Sequence, residues 1–324
     1  MTEQLQDTIA AITVAFILLV VLVLFIVLLR NYMQGGKFKK DTRIDGKVVV
    51  ITGANSGIGK VTAIDLAKRG GKIYIACRDT KRGEDALKEI RDESGSDKVQ
   101  FLQLDLASLD SVRQFSKNFH ELETQLHVLI NNAGVMACPK AQTKDGFELH
   151  FGTNHLGHFL LTHLLLDLLK ASAPSRAVVV SSLFHIVGKI RKHDLNGEIF
   201  YFRWFQYASS KLANILFTRE LAKRLQGSGV TANCLHPGAV HSGLQRHVNV
   251  FVRILTAPFQ WILFKNTVAG AQTQIRLAVD PDLSEVSGKY FADCKECWTL
   301  WTAKNDSMAE WLWNESVKLT SYSV

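Results

Sequence analysis

Cysteine is scarce here: five residues among 324, too few and too scattered to staple a fold together. Cys77, Cys138, Cys234, Cys294 and Cys297 are odd in number and follow no framework spacing, which excludes a disulfide-built domain and suits reduced thiols in the cytosol. Cys294 and Cys297 stand at metal-ligand spacing, but no second pair completes a set of four ligands, so no metal is expected. Internal repeats and low-complexity tracts are also lacking, which removes solenoids and repetitive arms. Nor is the excess of positive over negative charge spread evenly along the chain. The formal net charge is +8, yet Arg30, Lys37, Lys39, Lys40 and Arg43 face only Asp41 and hold +4 of it within one short stretch. The remainder is only mildly basic, so nucleic acid is not expected as a partner.

Charge is absent altogether from Ile9–Leu29, 21 residues in which Thr13 is the one polar side chain. At about 1.5 Å per residue such a helix spans roughly 30 Å, the thickness of a bilayer core. A buried core helix would show a polar face, and a signal peptide would pair a basic start with a shorter apolar run. Residues 1–8 instead contain Glu3 and Asp7, with no Lys or Arg. The sequence therefore predicts a retained transmembrane anchor at 9–29. Basic residues follow it and none precedes it, which leaves 1–8 outside and the rest in the cytosol, the cluster facing anionic headgroups. Residues 30–46 read as a basic linker and 47–324 as a single domain. The endoplasmic reticulum is the default membrane, although no explicit retention signal is present.

The domain is organised around Val48-Val49-Val50-Ile51-Thr52-Gly53-Ala54-Asn55-Ser56-Gly57-Ile58-Gly59, a β-forming run that enters a glycine-spaced turn. Helix-like spacing follows over Lys60–Lys68. Strand, glycine turn and helix in that order open a dinucleotide-binding βαβ unit. Gly53 permits the tight turn, Gly57 lets the backbone approach a pyrophosphate, and Gly59 lets helix and strand pack closely. Asn55, Ser56 and Ile58 complete the loop, and the helix start favours phosphate charge. Strands and helices then alternate, the pattern of a doubly wound parallel sheet, a Rossmann α/β fold. Strands are expected at Lys72–Ala76, Val99–Leu104, Val128–Ile130, Ala177–Val180, Val230–Leu235 and Lys289–Phe291. Helices are expected at Glu84–Asp92, Leu109–Leu122, Phe147–Lys170, Tyr207–Leu225 and Asn266–Val279. The all-apolar Ala177–Val180 belongs mid-sheet, covered on both faces.

Nucleotide choice rests on the end of the second strand. Arg78, 19 residues after Gly59, suits a ribose 2′-phosphate, hence NADP, while Asp79 is the competing contact to a ribose hydroxyl and Arg78 could be a solvated charge. Tyr207 and Lys211 lie four apart, on one face of a helix. A phenol of pKa about 10 is a poor base at neutral pH, and a fixed ammonium nearby favours its ionised form. The alternative is a half-buried Tyr beside a surface Lys. Ser181-Ser182, directly after an apolar strand, places a hydroxyl at the carboxyl end of the sheet, where ligands bind in such folds.

Thr52-Gly-Ala-Asn-Ser-Gly-Ile-Gly59, Asn131-Asn-Ala-Gly134, Ser182, Tyr207-x-x-x-Lys211 and Pro237-Gly238 occur in the order found in short-chain dehydrogenases/reductases. The chain resembles that family from about Lys47 to Asp293. Within it, Ala76-Cys77-Arg78-Asp79, Asn154-His-Leu-Gly-His-Phe159, Ser210-Lys-Leu-Ala-Asn-Ile-Leu-Phe217, Gly229-Val230, His236-Pro-Gly238 and Gly288-Lys-Tyr-Phe-Ala-Asp-Cys294 are similar to the branch of retinol dehydrogenases 11 to 14. The resemblance implies a catalytic tetrad of Asn154, Ser182, Tyr207 and Lys211. In it Tyr207 exchanges the proton, Ser182 bonds the substrate oxygen, Lys211 holds the nicotinamide ribose and lowers the Tyr pKa, and Asn154 anchors a relay water. It further implies Asp105 and Leu106 near the adenine, Asn132, Ala133 and Gly134 under the cofactor, and Pro237 and Gly238 near the nicotinamide. Where many relatives continue with a cofactor-touching Thr, this chain departs, with Val240-His241-Ser242.

The expected activity is NADP-dependent interconversion of retinal and retinol, or of related long-chain apolar aldehydes and alcohols, in the reductive direction. A hydroxysteroid or general lipid-carbonyl reductase is the alternative within enzymes, and a non-catalytic nucleotide-binding module the alternative outside them. Oligomeric state stays open, a homo-oligomer included. His155, His158 and His163 invite a metal reading, but His158 and His163 are five apart, on different helix faces, and read as packing residues. Phe251–Phe264, with Pro258 and Trp261, is too short to span a bilayer at 14 residues. It reads as a substrate lid, a bilayer-surface contact or a core helix, and Val248–Phe264 as a source of apolar surface near the nicotinamide.

Overall fold

The computed structural model describes residues 2–240, 257 and 259–322. Eight strands form one sheet: β1 (Val48–Thr52), β2 (Lys72–Cys77), β3 (Val99–Gln103), β4 (Val128–Asn131), β5 (Ser175–Val180), β6 (Val230–Leu235), β7 (Tyr290–Ala292) and β8 (Lys295–Glu296). Their order is β3-β2-β1-β4-β5-β6-β7-β8; the first seven run parallel and β8 returns antiparallel on β7. The chain fills one side of β1 with β2 and β3, then crosses to β4. That reversal opens a crevice at the carboxyl ends of β1 and β4, the place where ligands bind in open α/β sheets.

Alternation along β1 sorts its side chains onto two cores. Val48 and Val50 join one with Leu129, Ala177 and Val179, whereas Val49 and Ile51 join the other with Ile130, Val178 and Val180. Burial on both faces is why these strands read as unbroken apolar runs. The first core is covered by α4 (Leu109–Leu122), by the helical run of α5 (Leu149–Phe151), a π turn (Gly152–Leu156), α6 (Gly157–Leu164) and α7 (Leu166–Ala171), and by α8 (Arg203–Arg224). The second is covered by α2 (Gly57–Lys68), α3 (Thr80–Ser94) and the helix Thr267–Val279.

Several expected boundaries move. The helix after the glycines begins at Gly57 rather than Lys60. α3 is longer than expected because the Asp79 carboxylate caps its start, accepting from Arg82 N at 2.9 Å, and Gly95 closes its end at φ 67°. The single helix expected over Phe147–Lys170 is instead interrupted twice. Asn154 sits in a π turn, its side chain bound to Val135, and at the break before α7 the Ser116 hydroxyl donates to Leu164 O at 3.2 Å. Absent from the sequence reading was the last helix, Asp306–Thr320, capped by Asn305. It seats Trp313 edge-on to Phe159, with ring centroids 5.3 Å apart, against the first core.

At the N-terminus, α1 (Thr2–Met33) contains the expected 9–29 stretch and extends beyond it. Its Gln4–Met33 portion is long and apolar enough to cross a membrane, and none of its most apolar window is buried against the domain. The segment after it is docked on the domain. Phe38 N donates to Gln272 Oε1 at 3.0 Å, and Lys40 bonds Asp280 at 2.9 Å.

Candidate active site

The glycine turn after β1 has the shape its residues demand. Gly53 and Gly57 take φ of +67° and +60°, and a Cβ on Gly53 would lie 2.9 Å from Ala133 Cα. At Gly59 a Cβ would lie 2.6 Å from Asn132 Nδ2, so helix, turn and the strand-β4 loop meet with no room for a side chain. Ser56, the N-cap of α2, makes no side-chain cap bond, and no acidic residue occupies the first turn. The helix's first N–H groups are thus left for an anion. Thr52 supports the floor: its hydroxyl oxygen accepts from Asn132 N and Ala133 N, both at 2.9 Å. These features fit a dinucleotide.

Arg78 is exposed at the end of β2, beside this turn, since Gly53 N donates to Ala76 O at 2.7 Å. Asp79, the competing ribose contact, spends its carboxylate as the α3 cap. Asp105 is half-buried beyond β3, where its carboxylate accepts from Ala107 N at 3.1 Å. Leu106 packs so tightly on α6 that a Cβ on Gly157 would meet Leu106 O at 2.5 Å. Pro237 and Gly238 follow β6, and Lys265 lies against Gly238.

The four residues of the implied tetrad converge at the carboxyl ends of β4, β5 and β6. Asn154 is fixed from three sides: Oδ1 accepts from Val135 N at 2.8 Å, and Nδ2 donates to Val135 O at 3.0 Å and to Ser210 Oγ at 2.9 Å. A Cβ on Gly134 would lie 3.1 Å from Asn154 Oδ1 and 3.4 Å from Lys211 Nζ, so Gly134 is the gap across which those two groups face each other. Lys211 is buried and donates to Val180 O at 3.0 Å. Its Nζ lies 5.9 Å from the Tyr207 ring centroid. Ser182 accepts from Phe184 N at 3.2 Å, capping a turn at 183–187, and His185 Nδ1 holds Ser182 O at 2.8 Å.

Burial pushes the Tyr207 phenol up to about 12, with a hydrogen bond from Ser182 working in the opposite sense. Burial likewise brings the Lys211 ammonium down to about 8, opposed by Cys234. The lowering of the Tyr pKa comes here from Ser182, with no contribution from Lys211, and desolvation exceeds it.

The histidines expected to pack do so, each with a particular partner. His158 bridges Thr52 and Asn154 O, and His155 Nε2 meets Ser316 Oγ of the last helix at 2.9 Å. Two features escaped the sequence reading. One is a buried Glu148–His150 pair beside Tyr207, in which His150 Nδ1 meets Glu148 Oε1 at 2.6 Å and Nε2 accepts from Cys138 N at 3.1 Å. It holds the wall at 137–138, where Ala137 has φ 52°. The other is an apolar rim. Leu183, Phe184, Ile186 and Val187 are exposed immediately after Ser182, and Phe184 lies 5.9 Å from the Tyr207 ring and 5.6 Å from Trp204, centroid to centroid. The available signal was the run Ile199-Phe-Tyr-Phe-Arg-Trp-Phe205 just before Tyr207. Of Phe251–Phe264, residues 251–256 and 258 lie outside the described residues, as does most of Val248–Phe264. Among those described, Phe259, Trp261 and Leu263 are exposed rather than core.

This fold, glycine turn and Ser–Tyr–Lys site define the class, and the short chain dehydrogenase family model matches residues 47–251. The chain belongs to that family and is an oxidoreductase whose cofactor is a nicotinamide dinucleotide. It is 53% identical to retinol dehydrogenase 12 of Mus musculus over 90% of this chain and 92% of that protein. It is 50% identical to retinol dehydrogenase 11 of Homo sapiens over 90% and 91%. Among solved structures, an uncharacterized protein from Mycobacterium paratuberculosis is 37% identical with a TM-score of 0.71, covering 86% of this chain and 95% of that one.

Proposed function

We propose that the protein is a membrane-anchored, NADP-dependent reductase of long apolar aldehydes, with retinal the leading substrate. The observation that carries the reading is the rim of Leu183, Phe184, Ile186, Val187 and Trp204 beside Ser182 and Tyr207. An apolar mouth with a few convergent polar groups suits a polyene or acyl chain, whose burial contributes about 0.8 kcal/mol per methylene. Relatives named retinol dehydrogenases, half identical over nine-tenths of the chain, point the same way. The exposed Arg78 supports NADP, because planar guanidinium donors suit a 2′-phosphate.

A bound nicotinamide supplies the hydride chemistry. The protein's part is to hold and protonate. Tyr207 gives its phenolic proton to the substrate oxygen, and Ser182 hydrogen-bonds that oxygen. Lys211 carries a proton and holds the cofactor ribose, and Asn154, fixed in its π turn, anchors the water that resupplies protons from solvent. Residues 9–29 of α1 are the membrane anchor, with 1–8 outside, residues 30–46 as linker and 47–324 as catalytic domain on the cytosolic face of the endoplasmic reticulum. Cytosolic NADPH is kept largely reduced, which sets the direction from aldehyde to alcohol.

Full-length protein in detergent, assayed with NADPH, is expected to prefer retinal and long-chain aldehydes over a three-carbon aldehyde and over steroid ketones. A steroid preference would replace the substrate reading and leave the oxidoreductase standing. Two exposed sequon asparagines, Asn305 and Asn314, report topology. Both should stay unmodified in cells, and an endoglycosidase-sensitive mass shift at either would put the domain in the lumen.

A further inference from the structure

We infer that the short segment 259–263 is a membrane-surface contact that seats the catalytic domain on the bilayer beside its own anchor. The inference rests on the anchor reading of α1 and adds a second point of attachment to it.

Residues 259–263 are helical, and Phe259, Trp261 and Leu263 are 64%, 52% and 41% exposed. Three large apolar side chains exposed within five residues are costly unless something covers them. What covers them is indicated by what the turn touches. The Arg30 guanidinium lies 4.2 Å from the centre of the Trp261 ring and also bonds Trp261 O. Gln34 grips the same segment, donating to Phe264 O at 3.3 Å and accepting from Asn266 N at 3.1 Å.

Arg30 fixes the depth. It is the first charge after the apolar stretch, which ends at Leu29, so with α1 across a bilayer the guanidinium sits at the boundary between hydrocarbon and headgroups. Trp261, stacked on it, lies at that same level, where tryptophan is favoured for its apolar body and polar N–H. Phe259 and Leu263 flank Trp261 two residues to either side, so all three lie in the short stretch that Arg30 holds against the end of α1. Tyr32, 81% exposed on α1, and the exposed Lys37 and Lys39 extend the patch with a second interfacial aromatic and with charge suited to anionic headgroups.

The same segment reaches the active site. Lys265 N donates to Ala239 O at 2.8 Å, and a Cβ on Gly238 would lie 3.0 Å from Lys265 Cε. The Pro237-Gly238 corner is thereby held a few residues from the membrane contact. A substrate dissolved in the bilayer is delivered to a cleft whose distance from the membrane is set by two attachments, not by a loose tether.

The test uses the full chain in phospholipid nanodiscs, with and without bromine on the acyl chains just below the headgroup. Trp261 is one of six tryptophans, so its signal is the difference between wild type and Trp261→Phe. Brominated lipid should quench a fraction of wild-type emission that Trp261→Phe lacks. Phe259→Glu with Leu263→Glu should raise KM severalfold for a bilayer-dissolved long-chain aldehyde and leave kinetics on a short water-soluble aldehyde unchanged. Equal quenching in wild type and Trp261→Phe, or an unaltered long-chain KM in the double variant, would overturn the inference. So would a detergent-stable dimer that the double variant dissolves, which would make this face a contact between copies. Release of the wild-type chain from membranes by alkaline carbonate would instead remove the anchor reading beneath it.

Discussion

The Thr52 hydroxyl oxygen lies 2.9 Å from Nε2 of His158, and this contact joins the end of β1 to α6, directly after the π turn that carries Asn154. Two backbone N–H groups, of Asn132 and Ala133, already donate to Thr52 Oγ1. Its own proton is therefore directed to His158, since the other acceptor, Ile130 O, is 3.4 Å away. His158 then carries its hydrogen on Nδ1 and donates to Asn154 O at 3.0 Å. Burial brings its pKa down to about 4, so the neutral ring persists through the working range.

His158→Leu breaks both bonds while keeping the volume apolar. It is expected to cost about 1–3 kcal/mol of stability through the unpaired partners, and to weaken NADPH binding and lower kcat together. His158→Gln, which can restore one bond, should recover part of each. Cofactor titration alongside denaturant unfolding checks this, and a variant that loses stability with unchanged cofactor affinity would reduce His158 to a packing residue.

Tyr207→Phe removes the proton donor and leaves the ring in place beside Phe184. Turnover is expected to fall by about 10²–10⁴-fold, the usual contribution of a positioned acid or base. NADPH affinity should hardly change, because in the proposed mechanism the glycine turn and Asn132–Gly134 hold most of the cofactor. Near-wild-type turnover in this variant would remove the proposed mechanism.

Arg78→Glu replaces an exposed guanidinium at the end of β2 by a charge that repels phosphate. NADP affinity should fall far more than NAD affinity, since only NADP bears the 2′-phosphate. Direct titration with both nucleotides decides it. An unchanged ratio would mean that the phosphate is read elsewhere.

The sheet and the site were legible in the sequence for different reasons. Strands buried on both faces leave continuous apolar runs, and the dinucleotide turn leaves glycines where a Cβ would collide, so β1 and Gly53–Gly59 could be read directly. Asn154, Ser182, Tyr207 and Lys211 followed from motif order, and the structure sets Asn154 and Lys211 on either side of Gly134. The π turn at 152–156 was hidden because it depends on a bond from Asn154 to Val135, distant in sequence. The Glu148–His150 pair was hidden for the same reason, being defined by the wall it meets at Cys138. The rim at 183–187 went unread because exposed apolar residues beside a site look, in sequence, like ordinary core.

Three buried histidines and the half-buried His236 make a prediction about acid. Burial lowers His155 to about 3, and His158, His163 and His236 each to about 4, against about 6.5 in an unfolded chain. Below pH 6.5 the unfolded chain takes up protons that the folded chain refuses. Their contribution to stability is thus fully present above about pH 6.5 and is lost as pH falls toward 4, at up to about 1.4 kcal/mol per pH unit for each histidine. Unfolding free energy measured by denaturant titration should drop steeply as pH falls through this window, while His150, raised to about 9, makes stability decline gently in the opposite direction above pH 6.5. His163→Phe should make the drop shallower by the share of one proton; an identical slope would mean that His163 titrates alike in both states.

The apolar rim separates substrate preference from chemistry. Phe184 stands between Trp204 and Tyr207, at 5.6 and 5.9 Å between ring centroids, and is 44% exposed, so it has a free face to offer a chain entering the cleft. A long polyene or acyl chain would lie along that face, whereas a three-carbon aldehyde reaches Ser182 and Tyr207 without touching it. Phe184→Ala is therefore expected to reduce kcat/KM for retinal or a long-chain aldehyde by about tenfold, equivalent to about 1.4 kcal/mol of lost aromatic contact. The short aldehyde should lose little. Because the ring makes no contact with the reacting atoms in this reading, the loss should appear mainly in KM, as expected when ground state and transition state are held alike. Equal losses on short and long substrates would show that Phe184 supports the Ser182 turn instead of the substrate, and the apolar-aldehyde assignment would lose its principal support.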